Sequence, residues 1–160
     1  MAEHATNHPY SSDFLASLTS VIAQWTAPNF LVAVTAREGI DLDPTSITAI
    51  SVLDRLGPLR PSALAEHLVT GASNISKVLA RLEAAELAER RKDEADARAT
   101  LIHLTAAGNE VAAAFVRAGD GMLDELLDGW SDKERSLLTQ LTQRLDVSTR
   151  AFAAKINSSH

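Results

Sequence analysis

Apolar residues recur at helical spacing along almost the whole chain, and this pattern is interrupted only once. A typical stripe lies between residues 72 and 85, where it consists of Ile75, Val78, Leu79 and Leu82. The interruption comes at Leu87 to Lys92 and Ala99 to Leu104, two short strand-like segments around a polar loop. Aromatic residues are only 4% of the chain, so Leu, Ile, Val and Ala must build the core, which favours helices. We therefore predict a mainly α (α+β) protein with one hairpin.

Local start and stop signals then place the ends of the helices. Pro28 should kink or split a first helix predicted from Asp13 to about Arg37. Asp43 before Pro44 is typical of an N-cap and first turn, and Ser131 with Glu134 is typical of a capping box. Thr105 can cap a long helix that is weakened by Gly108, Gly119 and Gly121. The predicted order is helix, helix, helix-turn-helix, hairpin and two further helices.

Composition and motifs exclude several kinds of protein and site. The chain has no cysteine, which excludes disulfides, thiolate zinc sites and thiol redox switches. Its longest apolar run, around Phe30 to Val34, is too short to span a bilayer, and residues 1–12 lack the features of a signal peptide. His67 and His103 have no partner at metal-ligand spacing, and no nucleophile–base motif is present. We expect a cytoplasmic protein that is not an enzyme, with no metal, cofactor or membrane partner.

The net charge of −6 argues at first against a nucleic-acid partner, but its distribution changes that conclusion. Between Arg60 and Arg98 there are seven basic and seven acidic residues, so this stretch is neutral. The remaining eight basic and fourteen acidic residues carry the whole net charge. Whole-chain charge is therefore a poor guide to the partner of the middle region.

The fourth predicted helix carries polar groups on the side opposite its apolar stripe. The outward and flanking polar residues are Ser73, Asn74, Ser76, Lys77 and Arg81. Ala80 and Ala84 lie between them and leave room for close approach. Side chains of these types read base edges and phosphates when a helix enters the major groove. An amphipathic surface helix with ordinary polar residues explains the pattern equally well, so this helix alone leaves both interpretations open.

The hairpin that follows carries Arg90, Arg91, Lys92 and Arg98. A basic loop beside a recognition helix can reach phosphates or a minor groove. The acidic residues of the loop would repel DNA unless one is paired, and Asp96 could pair with Arg98 and so brace the loop. Taken alone, the hairpin is also typical of a solvated β-turn.

Three stretches in this region together resemble a known family. They are LGPLRPSALAEHL, SNISKVLARLEAAELAERRKDEADAR and LIHLTAAG. Their combination of an RPS-x-LA start, an S-x-x-S-K-x-L-x-x-LE helix, a D-x-R loop and an LT-x-x-G exit is similar to the winged helix-turn-helix core of the multiple antibiotic resistance regulator (MarR) family. The resemblance is sharp between Leu53 and Gly108. It implies a homodimeric transcriptional regulator of double-stranded DNA, a repressor that a small-molecule effector releases from a pseudo-palindromic operator.

The resemblance also implies a division of the chain. We expect a tail at 1–12, a first dimerisation helix at 13–42, a winged helix-turn-helix DNA-binding domain at 43–105, and C-terminal dimerisation helices at 106–156. The helical dimerisation region is thus formed by the N- and C-terminal helices.

Individual roles follow from the family pattern. Ser73, Asn74, Ser76, Lys77 and Arg81 would enter the major groove. Ser62 would touch a phosphate, Arg98 would anchor the wing through Asp96, and Arg91 or Lys92 could assist. The chain departs from the family at Glu86, where glycine is usual, so this position needs a different turn or a strained one.

Two further hypotheses concern ligands and the loss of DNA binding. The resemblance implies a small-molecule pocket where the first helix, the second helix and the winged domain meet, with Trp25, Phe30, Ile50 and Asp54 as candidate lining residues. Taken singly, each of these four residues is better explained by simple packing. The alternative function is a helical dimeric module that binds a ligand or protein and has lost DNA binding, which the acidic charge and Glu86 favour.

Overall fold

The computed structural model describes residues 11–93, 96 and 98–158, and its architecture is mainly α with one small sheet. The elements are α1 (Ser11–Trp25), α2 (Pro28–Ala36), α3 (Pro44–Leu56), α4 (Pro61–His67), α5 (Ala72–Ala84), β1 (Ala88–Lys92), β2 (Thr100–Leu104), α6 (Ala106–Leu126) and α7 (Asp132–Asn157). This is the predicted order. Residues 1–10 of the predicted tail, and Glu94 of the loop, lie outside the described residues.

The predicted helix boundaries are confirmed where a side chain or a proline sets them. The first helix is split at Pro28, which begins α2 and has no backbone N–H to continue α1. The amides of Thr45 and Ser46 donate to Asp43 Oδ1 at 3.1 and 3.2 Å, so Asp43 is the N-cap of α3. Ser131 and Glu134 form the full capping box that starts α7.

The core lies in the helix-turn-helix and the hairpin behind it. The largest side chains with almost no exposed surface are Ile50, Leu64, Val78, Leu79, Leu82 and Ile102. They come from α3, α4, α5 and β2, and Val111 and Phe115 of α6 pack against them. Burial of this aliphatic cluster holds α5 with one side inward, so its other side must face outward.

The hairpin is antiparallel, with Ala88 opposite Leu104 and Lys92 opposite Thr100. A third segment joins this sheet just before α4. Leu59 and Ile102 exchange backbone hydrogen bonds, with N–O distances of 3.3 and 2.8 Å. The chain entering α4 is therefore fixed to β2, close to the loop of the hairpin.

The chain divides into two compact units, one up to Asp120 and one from Gly121 onward. In the second unit, α7 buries none of its residues from Asp132 to Asn157, although it is rich in leucine. No helix within the described part of the chain is long and apolar enough to cross a membrane.

Candidate nucleic-acid interface

The structure places the whole set of predicted recognition residues on the exposed side of α5. Ile75, Val78, Leu79 and Leu82 are buried, whereas the exposed residues are Ser73, Asn74, Ser76, Lys77 and Arg81. The other candidates, Ser62, Arg91, Lys92, Asp96 and Arg98, are exposed as well. A polar, solvent-exposed helix face with small residues between its cations has the composition that a major groove requires.

The turn between α4 and α5 contains a valine, Val69, in the left-handed backbone conformation that usually requires glycine. Val69 has φ of 49°, and it is 93% exposed. The Val69 amide donates to the Glu66 carbonyl at 3.1 Å, and the Thr70 amide donates to the Ala65 carbonyl at 3.0 Å. These two bonds define a Schellman motif, whose left-handed position is normally glycine. A β-branched residue there is strained, so the tight turn is held by its surroundings.

The turn after α5 repeats this arrangement at Glu86. Its φ is 56°, its amide donates to the Glu83 carbonyl at 3.0 Å, and the Leu87 amide donates to the Leu82 carbonyl at 2.9 Å. The hydrophobic contact that accompanies a Schellman motif is supplied by Leu82 and Leu87, which are both buried. Glu86 therefore keeps the turn that glycine would make and bears the conformational strain, which is the second of the two outcomes predicted for it.

The start of α6 packs against this turn at Gly108. A Cβ added to Gly108 would lie 2.0 Å from the Leu87 carbonyl oxygen, so only glycine fits. Thr105 accepts the Gly108 amide at 3.0 Å and donates its hydroxyl to the Glu86 carbonyl at 2.6 Å. The predicted Thr105 cap is confirmed, and the LT-x-x-G sequence locks the end of α5 to the start of α6.

Several side chains on the exposed face of α5 are held by local contacts. Asn74 Nδ2 donates to Thr70 Oγ1 at 2.8 Å, and Ser76 donates its hydroxyl to the Ala72 carbonyl at 3.0 Å. These bonds orient the two side chains and leave their acceptor oxygens available. The face is therefore partly preorganised.

Arg81 is tied to the start of α3. Its Nη2 lies 3.4 Å from Oδ1 of Asp43, the N-cap of that helix. Partial burial opposes ionisation of Asp43, but hydrogen bonds from Ser46, the charge of Arg81 and the Thr45 amide outweigh it and hold its pKa below the ordinary value. Asp43 is therefore ionised near neutral pH and faces Arg81 of α5.

The wing is braced by a residue that the sequence did not indicate. Asp96 accepts the backbone amide of Arg98 at 3.1 Å, but its cationic partner is Arg60, whose Nη2 lies 3.2 Å from Oδ2. The predicted pairing of the Asp96 and Arg98 side chains is therefore wrong, because Asp96 contacts only the backbone of Arg98. Arg60 is 36 residues away in sequence and reaches Asp96 only because the Leu59–Ile102 bridge holds it beside the loop.

Two other cations of the hairpin are engaged with carboxylates. Arg90 Nε lies 2.6 Å from Glu83 Oε1, which joins β1 to α5, and Arg91 pairs with Glu89 on the same strand. These exposed pairs contribute little to stability. The Arg90–Glu83 pair nevertheless connects the hairpin to α5.

A shallow, open cavity of about 180 Å³ lies near the predicted pocket. It is lined by Thr26, Pro28, Leu31, Pro44, Thr45, Thr48 and Leu68. The four predicted lining residues are not among these. Trp25 and Asp54 are exposed, Phe30 is half-buried, and Ile50 is fully buried in the core, where its side chain packs instead of facing a ligand.

Sequence comparison identifies the family. The MarR family model matches residues 40–99 of the chain. The HTH-type transcriptional regulator YxaD of Bacillus subtilis is 31% identical over 106 residues, which cover 66% of this chain and 74% of YxaD. The chain belongs to the MarR family. The transcriptional regulator HosA of Escherichia coli O127:H6 is a further relative, 34% identical over 59% of this chain and 70% of HosA.

Solved structures agree on the fold. The transcriptional regulator Tm0710 from Thermotoga maritima superposes with a TM-score of 0.69 at 24% identity, covering 89% of this chain and 98% of that one. A MarR family protein from Bacillus stearothermophilus gives 0.68 at 19% identity, covering 87% and 97%. The fold is the winged helix-turn-helix of the MarR family, and its members are DNA-binding transcriptional regulators without enzymatic activity.

Arg60 and Asp43 make contacts with the candidate interface that nothing in the sequence indicates. Asp43 was recognised as a helix cap, and nothing in its neighbourhood points to Arg81. Arg60 lies in the RPS-x-LA start, just before α4. Nothing in that local sequence indicates that its partner is Asp96, which is 36 residues further along the chain. Pairings of this kind depend on tertiary structure.

Proposed function

We propose that this regulator is a repressor that binds a pseudo-palindromic operator as a homodimer, acts on DNA in the cytoplasm, and is released by a small-molecule effector. The observation that carries the proposal is the exposed polar face of α5, which two Schellman turns and the hairpin hold in place. In this proposal Ser73, Asn74, Ser76, Lys77 and Arg81 contact the major groove. Ser62 contacts a phosphate, while Arg98, Arg91 and Lys92 act from the wing.

The second copy is supported by apolar surface that this chain leaves uncovered. On α1, Phe14, Leu15, Val21, Ile22 and Trp25 are each at least 40% exposed. On α7, the exposed large apolar residues are Leu137, Leu138, Leu141, Leu145, Val147, Phe152 and Ile156. The leucines of α7 recur at helical spacing, as in a helix whose partner is another helix. Such surface is costly in water and marks an association site, and a two-fold partner would also supply the second recognition helix that a palindromic operator needs.

An effector could act through the start of α3. The cavity is bounded there by Pro44, Thr45 and Thr48, and the residue before them is Asp43, the partner of Arg81. A mainly apolar aromatic molecule in this cavity would move the first turn of α3. Because Asp43 pairs with Arg81, that movement would reach the recognition helix.

The DNA-binding part is tested by selecting duplexes from a random-sequence library with the full-length protein. We expect one family of pseudo-palindromic duplexes, whose tightest member serves as the operator probe, with affinity that falls steeply as salt rises. If Lys77 meets a phosphate at the edge of the major groove, Lys77→Ala should lower the slope of log affinity against log salt by roughly 1, because one counterion fewer is then released on binding. Lys133→Ala, which removes an exposed lysine from α7, is the control and should leave the slope unchanged. Absence of any preferred duplex would instead favour the helical module without DNA binding.

The effector part is tested by titrating small aromatic acids in the presence and absence of the operator probe, following Trp25 fluorescence in a Trp130→Phe background. Coupling is reciprocal, so a ligand that weakens DNA binding tenfold must itself bind tenfold more weakly to the protein–DNA complex than to the free protein. This factor corresponds to a coupling free energy of about 1.4 kcal/mol. A ligand whose affinity ignores bound DNA would contradict release by that ligand.

A further inference from the structure

Arg60 occupies a position from which it reaches both ends of the wing loop. Its Nη2 lies 3.2 Å from Asp96 Oδ2 and 3.6 Å from Asp93 Oδ2. Asp93 directly follows β1, and Asp96 lies two residues before Arg98. One guanidinium nitrogen therefore bridges two carboxylates that would otherwise repel each other across the loop.

Asp96 connects this cation to the backbone of the wing. Its Oδ2 receives Arg60, while its Oδ1 accepts the Arg98 amide at 3.1 Å. The Ala99 amide donates to the Asp96 carbonyl at 2.8 Å, and the Asp93 amide donates to the Ala99 carbonyl at 3.1 Å. A shift of the Asp96 carboxylate would therefore also shift the backbone that carries Arg98.

We propose that Arg60 is a positioning residue for DNA recognition: it clamps the wing through Asp96 and Asp93, so that the Arg98 guanidinium is directed to DNA instead of to Asp96. This inference rests on the DNA-binding role proposed above. Within the described residues the Arg98 side chain makes no ion pair, whereas Arg60 makes two. The clamp also neutralises acidic charge that would face the phosphates.

The clamp should matter much more for DNA binding than for stability. The side chains of Arg60 and Asp96 are 52% and 47% exposed, and ion pairs this exposed contribute little to the free energy of unfolding. A wing without its clamp must instead be ordered at the moment it meets DNA, which lowers affinity. The prediction is therefore reduced affinity in a normally folded protein.

The experiment compares Arg60→Gln, Asp96→Asn and the double variant on the operator probe. The amide oxygen introduced by Asp96→Asn can still accept the Arg98 amide, while its NH2 group, a donor, replaces the oxygen that accepts Arg60, so this variant releases Arg60 and keeps the Arg98 bond. We expect each single variant to bind about tenfold more weakly, which is the effect of losing one good groove contact, and the double variant to be no weaker than either. Arg60→Lys, which keeps a cation at this place, should recover most of the affinity.

The sign of the Asp96→Asn effect separates the clamp from a direct phosphate contact by Arg60. If Arg60 bound phosphate, removing the acidic group of Asp96 near it would tighten DNA binding. The double variant would then bind DNA with an affinity different from that of either single variant. Tighter binding by Asp96→Asn, or additive losses, would overturn the proposal. Arg117→Gln is the matched control, because Arg117 pairs with Glu38 at 3.2 Å with similar exposure. It should leave DNA affinity unchanged.

A measurement without DNA makes the result independent of the proposed function. In Arg60→Gln, the Arg98 amide should exchange its hydrogen faster than in the unaltered protein, because the carboxylate that accepts it is released. Unchanged exchange would refute the clamp even if the protein binds an operator. A protein that selects no duplex but shows faster Arg98 exchange would refute the DNA-binding function and leave the clamp as a structural feature.

Discussion

Val69 and Glu86 adopt the left-handed backbone conformation, which residues with a side chain disfavour. Val69 lies just after α4, and Glu86 lies just after α5. Their φ values are 49° and 56°. Glycine adopts this region without steric cost, while another residue loses about 1–2 kcal/mol there. The cost is tolerated because each turn completes two backbone hydrogen bonds and, at Glu86, buries Leu87 against the core.

Replacing either residue by glycine should stabilise the fold. Relief of about 1–2 kcal/mol of strain exceeds the roughly 0.5–1 kcal/mol that glycine loses in chain entropy, so the net gain should be about 0.5–1 kcal/mol. Urea unfolding of Glu86→Gly and Val69→Gly measures it. Glu86→Ala removes the charge and keeps the strain, so it should show no such gain, and a gain in that variant would mean that charge was responsible.

Gly108 should behave in the opposite way. An added methyl group at Gly108 would collide with the backbone carbonyl of Leu87. A Cβ atom and a backbone oxygen cannot turn away as the end of a long side chain can, so Gly108→Ala should lower the free energy of unfolding by about 1–3 kcal/mol. Gly121 lies in the same helix with open space around it, and Gly121→Ala should gain up to about 1 kcal/mol from helix propensity. Thermal unfolding of the two variants compares them directly, and equal shifts would show that the collision is relieved by backbone movement.

Among the elements, α3 has a first turn that is connected both to α5 and to the cavity. Asp43 caps the helix, pairs with Arg81 of α5, and precedes the residues that bound the cavity. Its carboxylate acts in two ways that can be separated, because asparagine caps a helix about as well as aspartate but carries no charge.

The Asp43 variants should differ in both size and pH dependence. Asp43→Ala loses the cap and should cost about 1 kcal/mol, whereas Asp43→Asn should lose only the weaker charge contribution. Since folding lowers the Asp43 pKa, that contribution is present above the ordinary value of 3.8 and disappears as the pH falls through the folded-state pKa. Unfolding measured from neutral to acidic pH should show the unaltered protein and Asp43→Asn converging in acid. A constant difference would contradict the role of the charge.

At the scale of the whole molecule, the exposed apolar faces of α1 and α7 are the observation behind the proposed dimer. A helix with several half-exposed leucines and no buried residue is not stabilised by its own unit alone. A second copy is the partner that fits the family and the proposed palindromic operator.

We expect a dimer at micromolar concentration in sedimentation experiments. Leu141→Glu should give monomers, because it would place an unpaired charge within the apolar contact. Gln140→Glu adds the same charge at the neighbouring exposed residue of α7 and should leave the dimer intact. On the selected operator, half-site centres should lie about one helical turn apart, roughly 10 base pairs. A stable monomer of the unaltered chain would refute the dimer.

The secondary-structure elements of this protein follow from local signals in its sequence. Caps and breakers act within a few residues, so Pro28, Asp43, Thr105 and Ser131 mark real boundaries, and apolar periodicity assigns the buried side of α5. The same patterns, with the family resemblance, were enough to recognise a winged helix-turn-helix regulator.

Tertiary structure alone decided how the parts of the interface are held. Whether Glu86 would change the turn or strain it depended on the burial of Leu87, and the need for Gly108 depended on a carbonyl from another element. Asp96 could pair with Arg98, which is close in sequence, or with a distant cation. It pairs with Arg60, because the Leu59–Ile102 bridge brings Arg60 to the loop. Charges and close contacts act through space, and their partners are set only when the core brings distant segments together.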